Sequence, residues 1–288
     1  MALLCAGLTL VACDPDVSAL ATLTPTPSII PPSATVAPIA PTANNLDSSN
    51  VGVEGFTPGA PPAVGADGGQ TITPSAAPTQ ASITMNFVTS DGLSIAGTYY
   101  VAPVRPAPIV LLLHMSGSSK EAWKSFAPQL QAAGYSVLAI DLRGHGETGG
   151  KVDWNKEPAD VTEIVNQIRN LPGVDQTRIS VIGASIGANL AIRACADLQL
   201  CHSVVLISPA LNYQGVQALD PLTRYGNGPV LIVASRDDPP SGADSVTLDK
   251  AAKGNHTLQL YAGKVNGTDL FSAQPDLTRL IIQWLLVH

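Results

Sequence analysis

The first third of the chain lacks basic residues. No Lys or Arg precedes Arg105 in the 288 residues, and residues 14–80 contain five acidic residues and a single aromatic one, Phe56. Residues 81–288 then carry all 15 basic residues against 17 acidic ones, a net charge of −2. Because a nucleic-acid surface needs clustered positive charge, the sequence argues against nucleic acid as a partner.

Cysteine is scarce as well, with four residues in the whole chain. No group of Cys and His residues has the spacing of metal ligands, and we expect neither a metal site nor a cofactor. Cys195 and Cys201 lie six residues apart across a predicted helix-to-strand turn. This spacing suits either a disulfide formed outside the cytoplasm or two free buried thiols.

The apolar run at the start of the chain, MALLCAGLTLVACDPD (1–16), is too short to span a bilayer, which takes roughly 20 apolar residues. It ends in small residues, as export signals do. Residues 10–13 (LVAC) resemble the bacterial lipobox, in which the Cys is lipidated and becomes the first residue of the mature protein. We therefore predict a signal peptide over 1–12 and a lipid anchor on Cys13, at the outer face of a bacterial cell membrane; the alternative is a secretory signal cut elsewhere.

Residues 14–80 contain 12 of the 24 prolines and many Thr, Ala and Ser residues. A segment with so little bulky apolar surface cannot repay the entropy cost of ordering. We expect a disordered tether over 13–80, followed by a folded domain over 81–288.

Strand-like and helix-like segments alternate from residue 81 onward. Strands are predicted at 83–89, 93–101, 108–114, 135–141, 178–184, 203–208, 229–235 and 257–262, and helices near 118–133, 157–171, 185–197, 241–253 and 271–287. This alternation predicts an α/β fold: a mostly parallel sheet with helices on both faces and an antiparallel hairpin at its start. Functional residues are expected in loops at the carboxyl ends of the strands.

The segment Gly183-Ala184-Ser185-Ile186-Gly187 lies between a predicted strand and a predicted helix. In that context G-x-S-x-G is typical of a nucleophile elbow, in which a sharp turn exposes the serine at the tip of the strand. The alternative is an ordinary strand-to-helix turn with Ser185 as the helix N-cap.

With this motif, residues 83–288 resemble the α/β-hydrolase superfamily. LLLHMSGSS (111–119) resembles its oxyanion loop, with Met115 where glycine is usual, and DLRGHG (141–146) resembles its D-x-R-G-x-G turn. The resemblance implies that Ser185 is the nucleophile, and that the backbone amides of Ile186 and of Ser116 or Met115 hold the oxyanion. His114 and His145 correspond to residues that usually shape these loops.

The same resemblance places the catalytic acid after strand 229–235, where Asp237 and Asp238 are adjacent. The family pattern favours Asp238, which leaves Asp237 to cap the following helix. The catalytic histidine is expected after the last strand, but Asn266 occupies that position. An amide cannot take the proton of the serine at neutral pH, so the general base is missing.

Five histidines are present in the chain. His202, His256 and His288 are predicted away from the catalytic edge of the sheet, which leaves only His114 and His145 near it. We expect both of these to be structural, and a recruited histidine is the less favoured reading.

Only residues 209–228 separate two of the predicted strands at the place where many relatives carry a lid. The resemblance is therefore to dienelactone-hydrolase-like or small esterase members, with little or no lid. It implies hydrolysis of a carboxylic ester or related acyl bond in a small molecule, weakened by Asn266. The alternative is an inactive pseudo-hydrolase that serves as a binding or scaffold protein.

Overall fold

The computed structural model describes residues 82–288. The predicted signal peptide over 1–12, the predicted lipid anchor on Cys13 and the predicted tether over 13–80 lie outside the described residues. Within residues 82–288, no helix combines the length and apolar character needed to cross a membrane.

Residues 82–288 contain ten strands, and eight of them form the main sheet. In chain order the ten strands are β1 (Ser82–Val88), β2 (Ser94–Tyr100), β3 (Ala107–Leu113), β4 (Ser136–Ile140), β5 (Val174–Ala184), β6 (Ser203–Ile207), β7 (Asn212–Tyr213), β8 (Val216–Gln217), β9 (Val230–Ser235) and β10 (His256–Tyr261). The order across the sheet is β1-β2-β4-β3-β5-β6-β9-β10, while β7 and β8 form a separate small hairpin. Strand β2 is antiparallel to β1 and β4, and the other neighbours are parallel. The predicted mostly parallel α/β sheet is confirmed.

Helices cover both faces of this sheet. They are α1 (Ala127–Ala132), α2 (Glu157–Ile168), α3 (Ile186–Leu198), α4 (Leu219–Tyr225), α5 (Ser241–Ala251), α6 (Leu270–Ala273) and α7 (Leu277–Val287), with 3-10 turns at Lys120–Trp123 and Gly267–Asp269.

Two helices predicted as continuous are interrupted, and proline lies at both interruptions. The one near 118–133 becomes a 3-10 turn followed by α1, which begins with a proline in its first turn. The one near 271–287 divides into α6 and α7 at Gln274, whose backbone is extended with φ −127° and ψ 91°. Pro275 follows Gln274, and a proline pushes the preceding residue out of the helical region.

Strand β3 shows why the apolar runs are continuous. Ile109, Leu111 and Leu113 belong to the core beneath α2 and α3, whereas Val110 and Leu112 belong to the core beneath α1 and α7. Successive side chains of a strand point to opposite faces, and both faces of this sheet are covered. The sheet is therefore a rigid support for the loops at its carboxyl edge.

A disulfide joins Cys195 near the end of α3 to Cys201 just before β6. The sequence left open either a disulfide or two free thiols at these cysteines, and the structure has the disulfide. The bond ties the helix that follows Ser185 to the neighbouring strand.

Candidate active site

Ser185 lies at the junction of β5 and α3. Its φ of 55° and ψ of −120° are unfavourable for a residue with a side chain, as is found where function maintains backbone strain. The amide of Ser185 donates to the carbonyl of Ile207 at 2.8 Å, which anchors the turn to β6. The side chain is half-buried and makes no capping hydrogen bond to α3. The backbone of Ser185 therefore fits the predicted nucleophile elbow, and its side chain does not act as an N-cap; its role as nucleophile stays a prediction.

The two glycines of the motif are required by close packing, not by their own dihedral angles. A Cβ on Gly183 would collide with the carbonyl of Gly187, and a Cβ on Gly187 would lie 2.5 Å from the carbonyl oxygen of Leu113. The positive φ is on Ser185 itself. The start of α3 is thereby brought against the end of β3, where the oxyanion loop begins.

Three backbone amides are free of backbone partners where the sequence predicts an oxyanion hole. Among the described residues, the amides of Met115, Ser116 and Ile186 donate to no backbone carbonyl. Ile186 is the first residue of α3, so its amide also has the favourable charge of a helix N-terminus. Their role in holding an oxyanion stays a prediction.

His114 is a structural residue in this arrangement. Its Nδ1 donates to the carbonyl of Met115 at 2.8 Å, and its Nε2 accepts from the amide of Leu142 at 3.0 Å. Burial lowers the pKa of His114 to about 4, so the ring stays neutral. Nδ1 of His145 donates to the carbonyl of Arg143 at 2.9 Å, and the ring of His145 packs edge-on against His114 with centroids 5.1 Å apart.

The structure distinguishes the two adjacent aspartates. Asp238 is 8% exposed, and its Oδ2 accepts a hydrogen bond of 2.6 Å from Nδ2 of Asn266. Burial raises the pKa of Asp238, and the bond from Asn266 opposes that rise. Asp237 is exposed, and α5 begins after Pro240 without a side-chain cap. The prediction that Asp237 caps this helix is wrong, because its side chain points to solvent.

Two buried serines hold the loop that carries Asn266. Ser208, at the end of β6, accepts from the amide of Gly267 at 2.9 Å, and Ser235, at the end of β9, donates to the carbonyl of Val265 at 2.7 Å. Both serine side chains are fully buried. The residue on each side of Asn266 is therefore tied to a strand end, which positions the amide beside Asp238.

Comparison with known proteins finds similarity over parts of the chain. The family model described as serine aminopeptidase, S33, matches residues 104–236. A thiohydrolase of Aspergillus aculeatus is 29% identical over 132 residues, which cover 44% of this chain and 41% of that protein. Two solved structures are similar. The α/β-hydrolase GrgF of Penicillium has a TM-score of 0.65 and 15% identity, and the match covers 72% of this chain and 99% of that one. A dienelactone hydrolase of Anabaena variabilis has a TM-score of 0.63 and 19% identity, and the match covers 73% of this chain and 99% of that one.

Residues 82–288 have the α/β-hydrolase fold. The match to the thiohydrolase spans less than half of that relative's length. The family-model match includes the oxyanion loop and the elbow but ends at Arg236, just before Asp238. The matched range therefore includes Ser185 but neither Asp238 nor Asn266, and the roles of all three residues stay predictions.

The structure adds a residue near the site to which the sequence assigned no role. This residue is Tyr213 on β7, which is half-buried. Burial raises the pKa of Tyr213, and its neighbours Ser185 and Asn266 oppose that rise. The available signal was a tyrosine soon after a buried strand, at the edge where functional residues were expected.

The hairpin that carries Tyr213 is held against α3 by one buried amide. Nδ2 of Asn189 donates to the carbonyls of Ala210 at 2.9 Å and Val216 at 2.8 Å, and its Oδ1 accepts from the amide of Ala210 at 3.2 Å. Residues 209–228, predicted to contain little or no lid, form this hairpin and α4. Their position beside the elbow depends on Asn189, one turn into α3.

The other histidines lie elsewhere. His202 and His288 line the same hollow at the amino edge of the sheet, and His256 begins β10. Among residues 82–288, no imidazole is hydrogen-bonded to Ser185, and no cluster of three or more His, Cys, Asp or Glu residues could hold a metal ion.

Proposed function

We propose that residues 82–288 form a serine hydrolase of low activity on carboxylic esters or related acyl bonds, with Ser185 as the nucleophile. The observation that carries the proposal is the strained backbone of Ser185 beside amides that no other backbone group uses. Donors placed where negative charge develops are the main source of stabilisation in acyl transfer. The thiohydrolase and dienelactone hydrolase similarities support an acyl substrate.

Low activity follows from Asn266. Its Nδ2 faces Asp238, so the acid that would orient an imidazole is already bonded to an amide. An amide nitrogen has no acceptor lone pair for the proton of Ser185. In a serine protease, removal of the histidine lowers turnover by about a million-fold, with ~10³ to 10⁴ over water retained by the oxyanion hole and binding.

A serine-directed fluorophosphonate probe tests this proposal directly. We expect the probe to label residue 185 of the natural protein faster than any site of the Ser185→Ala variant. Peptide mapping identifies the labelled serine, and circular dichroism checks the fold of the variant. Equal labelling of the two proteins would contradict a reactive Ser185.

A second function is favoured by the short bond between Asn266 and Asp238. At 2.6 Å the carboxylate is satisfied by an amide and needs no imidazole, as in a binding or scaffold protein that uses the cleft without turnover. This alternative predicts that small esters bind, by calorimetry or nuclear magnetic resonance, in the absence of labelling and hydrolysis. Detectable turnover lost in Ser185→Ala would rule it out.

We also propose that the domain is exported and attached to the membrane through a lipid on Cys13. The support is the lipobox-like LVAC at 10–13 and the proline-rich composition of 14–80. Growth with an alkyne-tagged fatty acid is expected to label the protein in a bacterial host, and Cys13→Ala is expected to abolish the label. Incorporation that persists in Cys13→Ala would contradict an anchor at this residue.

A further inference from the structure

The edge of the sheet opposite the candidate active site exposes apolar side chains. Val104, in the loop between β2 and β3, is 75% exposed, and Leu286 and Val287, at the end of α7, are 61% and 76% exposed. All three line one hollow of about 550 Å³, together with Pro106 and Pro108 at the start of β3. A contiguous exposed apolar patch commonly marks a surface that contacts another protein or a membrane.

The two edges of the sheet differ in the sign of their charge. We compare the segments that lead into the strands at the amino edge (101–106, 133–135, 169–178, 199–202, 226–229 and 252–255) with those at the carboxyl edge (89–93, 114–119, 141–156, 208–218, 236–240 and 262–269). The amino-edge segments carry four basic residues and one acidic residue, a net charge of +3, whereas the carboxyl-edge segments carry five basic and seven acidic residues, a net charge of −2. The edge with the apolar patch is therefore the one that attracts anions.

Two of the basic residues adjoin the apolar side chains. Arg105 is exposed and follows Val104 directly. Arg178 is exposed as well and lines the same hollow as the end of α7, and its Nε donates to Oδ2 of Asp175 at 2.7 Å. We call these basic and apolar residues together the amino-edge patch: Val104, Arg105, Arg178, Leu286 and Val287.

The described chain also begins at this edge. Ser82 pairs with Tyr100 at the end of β2, and Tyr100 pairs with Val137 near the start of β4. Because β4 starts at the amino edge, the segment that precedes residue 82 joins the domain there. An anchor in that segment would be connected to the domain at the edge that carries the patch.

We propose that the amino-edge patch docks on the surface of an anionic bilayer, with its apolar side chains among the acyl chains and Arg105 and Arg178 at the headgroups. Apolar side chains flanked by basic residues suit such a surface. The inference builds on the proposed lipid anchor, which raises the local concentration of the patch at the bilayer, so that weak docking suffices. A second copy of the chain fits less well, because a symmetric interface would bring two sets of basic residues together.

Docking in this orientation directs the candidate active site away from the bilayer. Strand β3 has seven residues, so the two edges of the sheet lie about 20 Å apart. Ser185 follows the carboxyl end of β5, at the edge that does not carry the patch. The cleft then opens to water, and its substrates are water-soluble acyl compounds rather than lipids of the bilayer that holds the domain.

The test is sedimentation with lipid vesicles of residues 14–288, the predicted mature chain without Cys13. This form contains the whole folded domain but neither the apolar segment over 1–12 nor a lipid. We expect it to bind vesicles of equal parts phosphatidylglycerol and phosphatidylcholine about 100-fold more tightly than vesicles of phosphatidylcholine alone. Raising the salt concentration from about 50 mM to about 500 mM should remove most of this difference.

Paired valine variants test the apolar side chains. Val104→Ser/Val287→Ser should weaken binding to the anionic vesicles by about tenfold. Val88→Ser/Val152→Ser is the matched control, because it also replaces two exposed valines, 61% and 45% exposed, but at the carboxyl edge. The control should bind as the natural sequence does, and circular dichroism checks the fold of both variants. Equal losses in the two pairs would overturn docking by the amino edge.

Paired arginine variants test the charges. Arg105→Gln should weaken binding to the anionic vesicles by about fivefold and leave binding to neutral vesicles unchanged. Arg236→Gln, which replaces an exposed arginine at the carboxyl edge, should change neither by more than about twofold. Equal binding of the natural sequence to anionic and neutral vesicles would overturn the anionic surface as the partner.

The remaining outcomes separate this proposal from the others. If the full chain incorporates the fatty acid at Cys13 but residues 14–288 bind no vesicles, docking is overturned while the anchor stands. If residues 14–288 bind vesicles as expected but Cys13 takes up no fatty acid, the anchor alone is overturned. If sedimentation velocity shows an oligomer that Val104→Ser/Val287→Ser dissociates, with no vesicle binding, the patch joins copies of the chain and the proposal is wrong.

Discussion

The elbow half of the site, around Ser185, and the proton-transfer half, around Asp238 and Asn266, differ in what holds them in place. The elbow is defined by backbone contacts so tight that only glycine fits at positions 183 and 187. The proton-transfer half is defined by side-chain hydrogen bonds, in which Ser208 and Ser235 hold the loop around residue 266.

This difference explains how one half could depart from the hydrolase pattern while the other did not. A change at Gly183 or Gly187 forces the backbone apart, whereas a change from His to Asn at position 266 leaves the loop anchors and the bond to Asp238 in place. The geometry therefore predicts that the chemistry can be restored by a single side chain.

The largest expected effect comes from Asn266→His. The loop already places this position beside Asp238, so the imidazole should be oriented by the carboxylate and should raise ester hydrolysis by about 10² to 10⁴. The measurement is kcat/KM on a chromogenic acetate ester at pH 7.5. The double variant Ser185→Ala/Asn266→His should lose the gain. An intact fold with no gain would mean that the two halves are not aligned.

The next effect separates the adjacent aspartates in the Asn266→His background. Asp238→Asn should lower kcat by roughly 10³ to 10⁴, as the loss of the orienting carboxylate does in a serine protease. Asp237→Asn should leave kcat within about twofold, because the Asp237 side chain is exposed. Equal losses would show that the acid has been assigned to the wrong residue.

Gly187→Ala tests the elbow half. The added Cβ would lie 2.5 Å from the Leu113 carbonyl, and we expect a loss of about 4 kcal/mol in the free energy of unfolding together with loss of Ser185 labelling. Gly263→Ala is the control. Its Cβ meets nothing within 4 Å, so it carries only the strain of a positive φ, about 1 to 2 kcal/mol. Denaturant unfolding measures both.

Glu157, which belongs to neither half of the site, should make the stability of the fold depend on pH. Glu157 is fully buried, and burial, with a smaller contribution from Asp160, raises its pKa to about 8 from 4.5. The folded state therefore keeps a proton that the unfolded state loses above pH 4.5.

The stability contributed by Glu157 is full below pH 4.5 and is lost as the pH rises from 4.5 through 8, by a few kcal/mol in total. Glu157→Gln should flatten the denaturation free energy across this range, while the exposed Glu121→Gln should not. A natural protein with no such slope would contradict a protonated Glu157.

The smallest effect concerns the loop anchors. Ser235→Ala removes the bond to the Val265 carbonyl and should cost about 1 kcal/mol in unfolding free energy. In the Asn266→His background it should also lower kcat, because the imidazole would be less firmly placed. Thr247→Ala is the matched control, because it removes a bond from the exposed Thr247 hydroxyl to the carbonyl of Ala243 within α5. A loss of stability without a loss of kcat would separate the anchor from the site.

Much of this architecture was accessible from the chain alone. The central strands were predictable because each is apolar on both faces, and the elbow because two glycines, a serine and a strand-to-helix boundary coincide. The position of Asn266 after the last strand was also predictable, because it follows from the order of the strands along the chain. The breaks at Gln274 and before α1 were missed, although the neighbouring prolines carried the signal.

What the amino-acid sequence determined by itself was the α/β order, the serine at the elbow and an amide where a base was expected, since each depends on residues close together in the chain. Only the tertiary structure decided that Asp238 rather than Asp237 meets Asn266, that Glu157 is buried, and that the hairpin carrying Tyr213 is held by Asn189. These contacts join residues that are far apart in the chain, such as Asn189 and the hairpin residues Ala210 and Val216. Such residues meet only when the core has packed, and the packed core then sets the direction in which each side chain points.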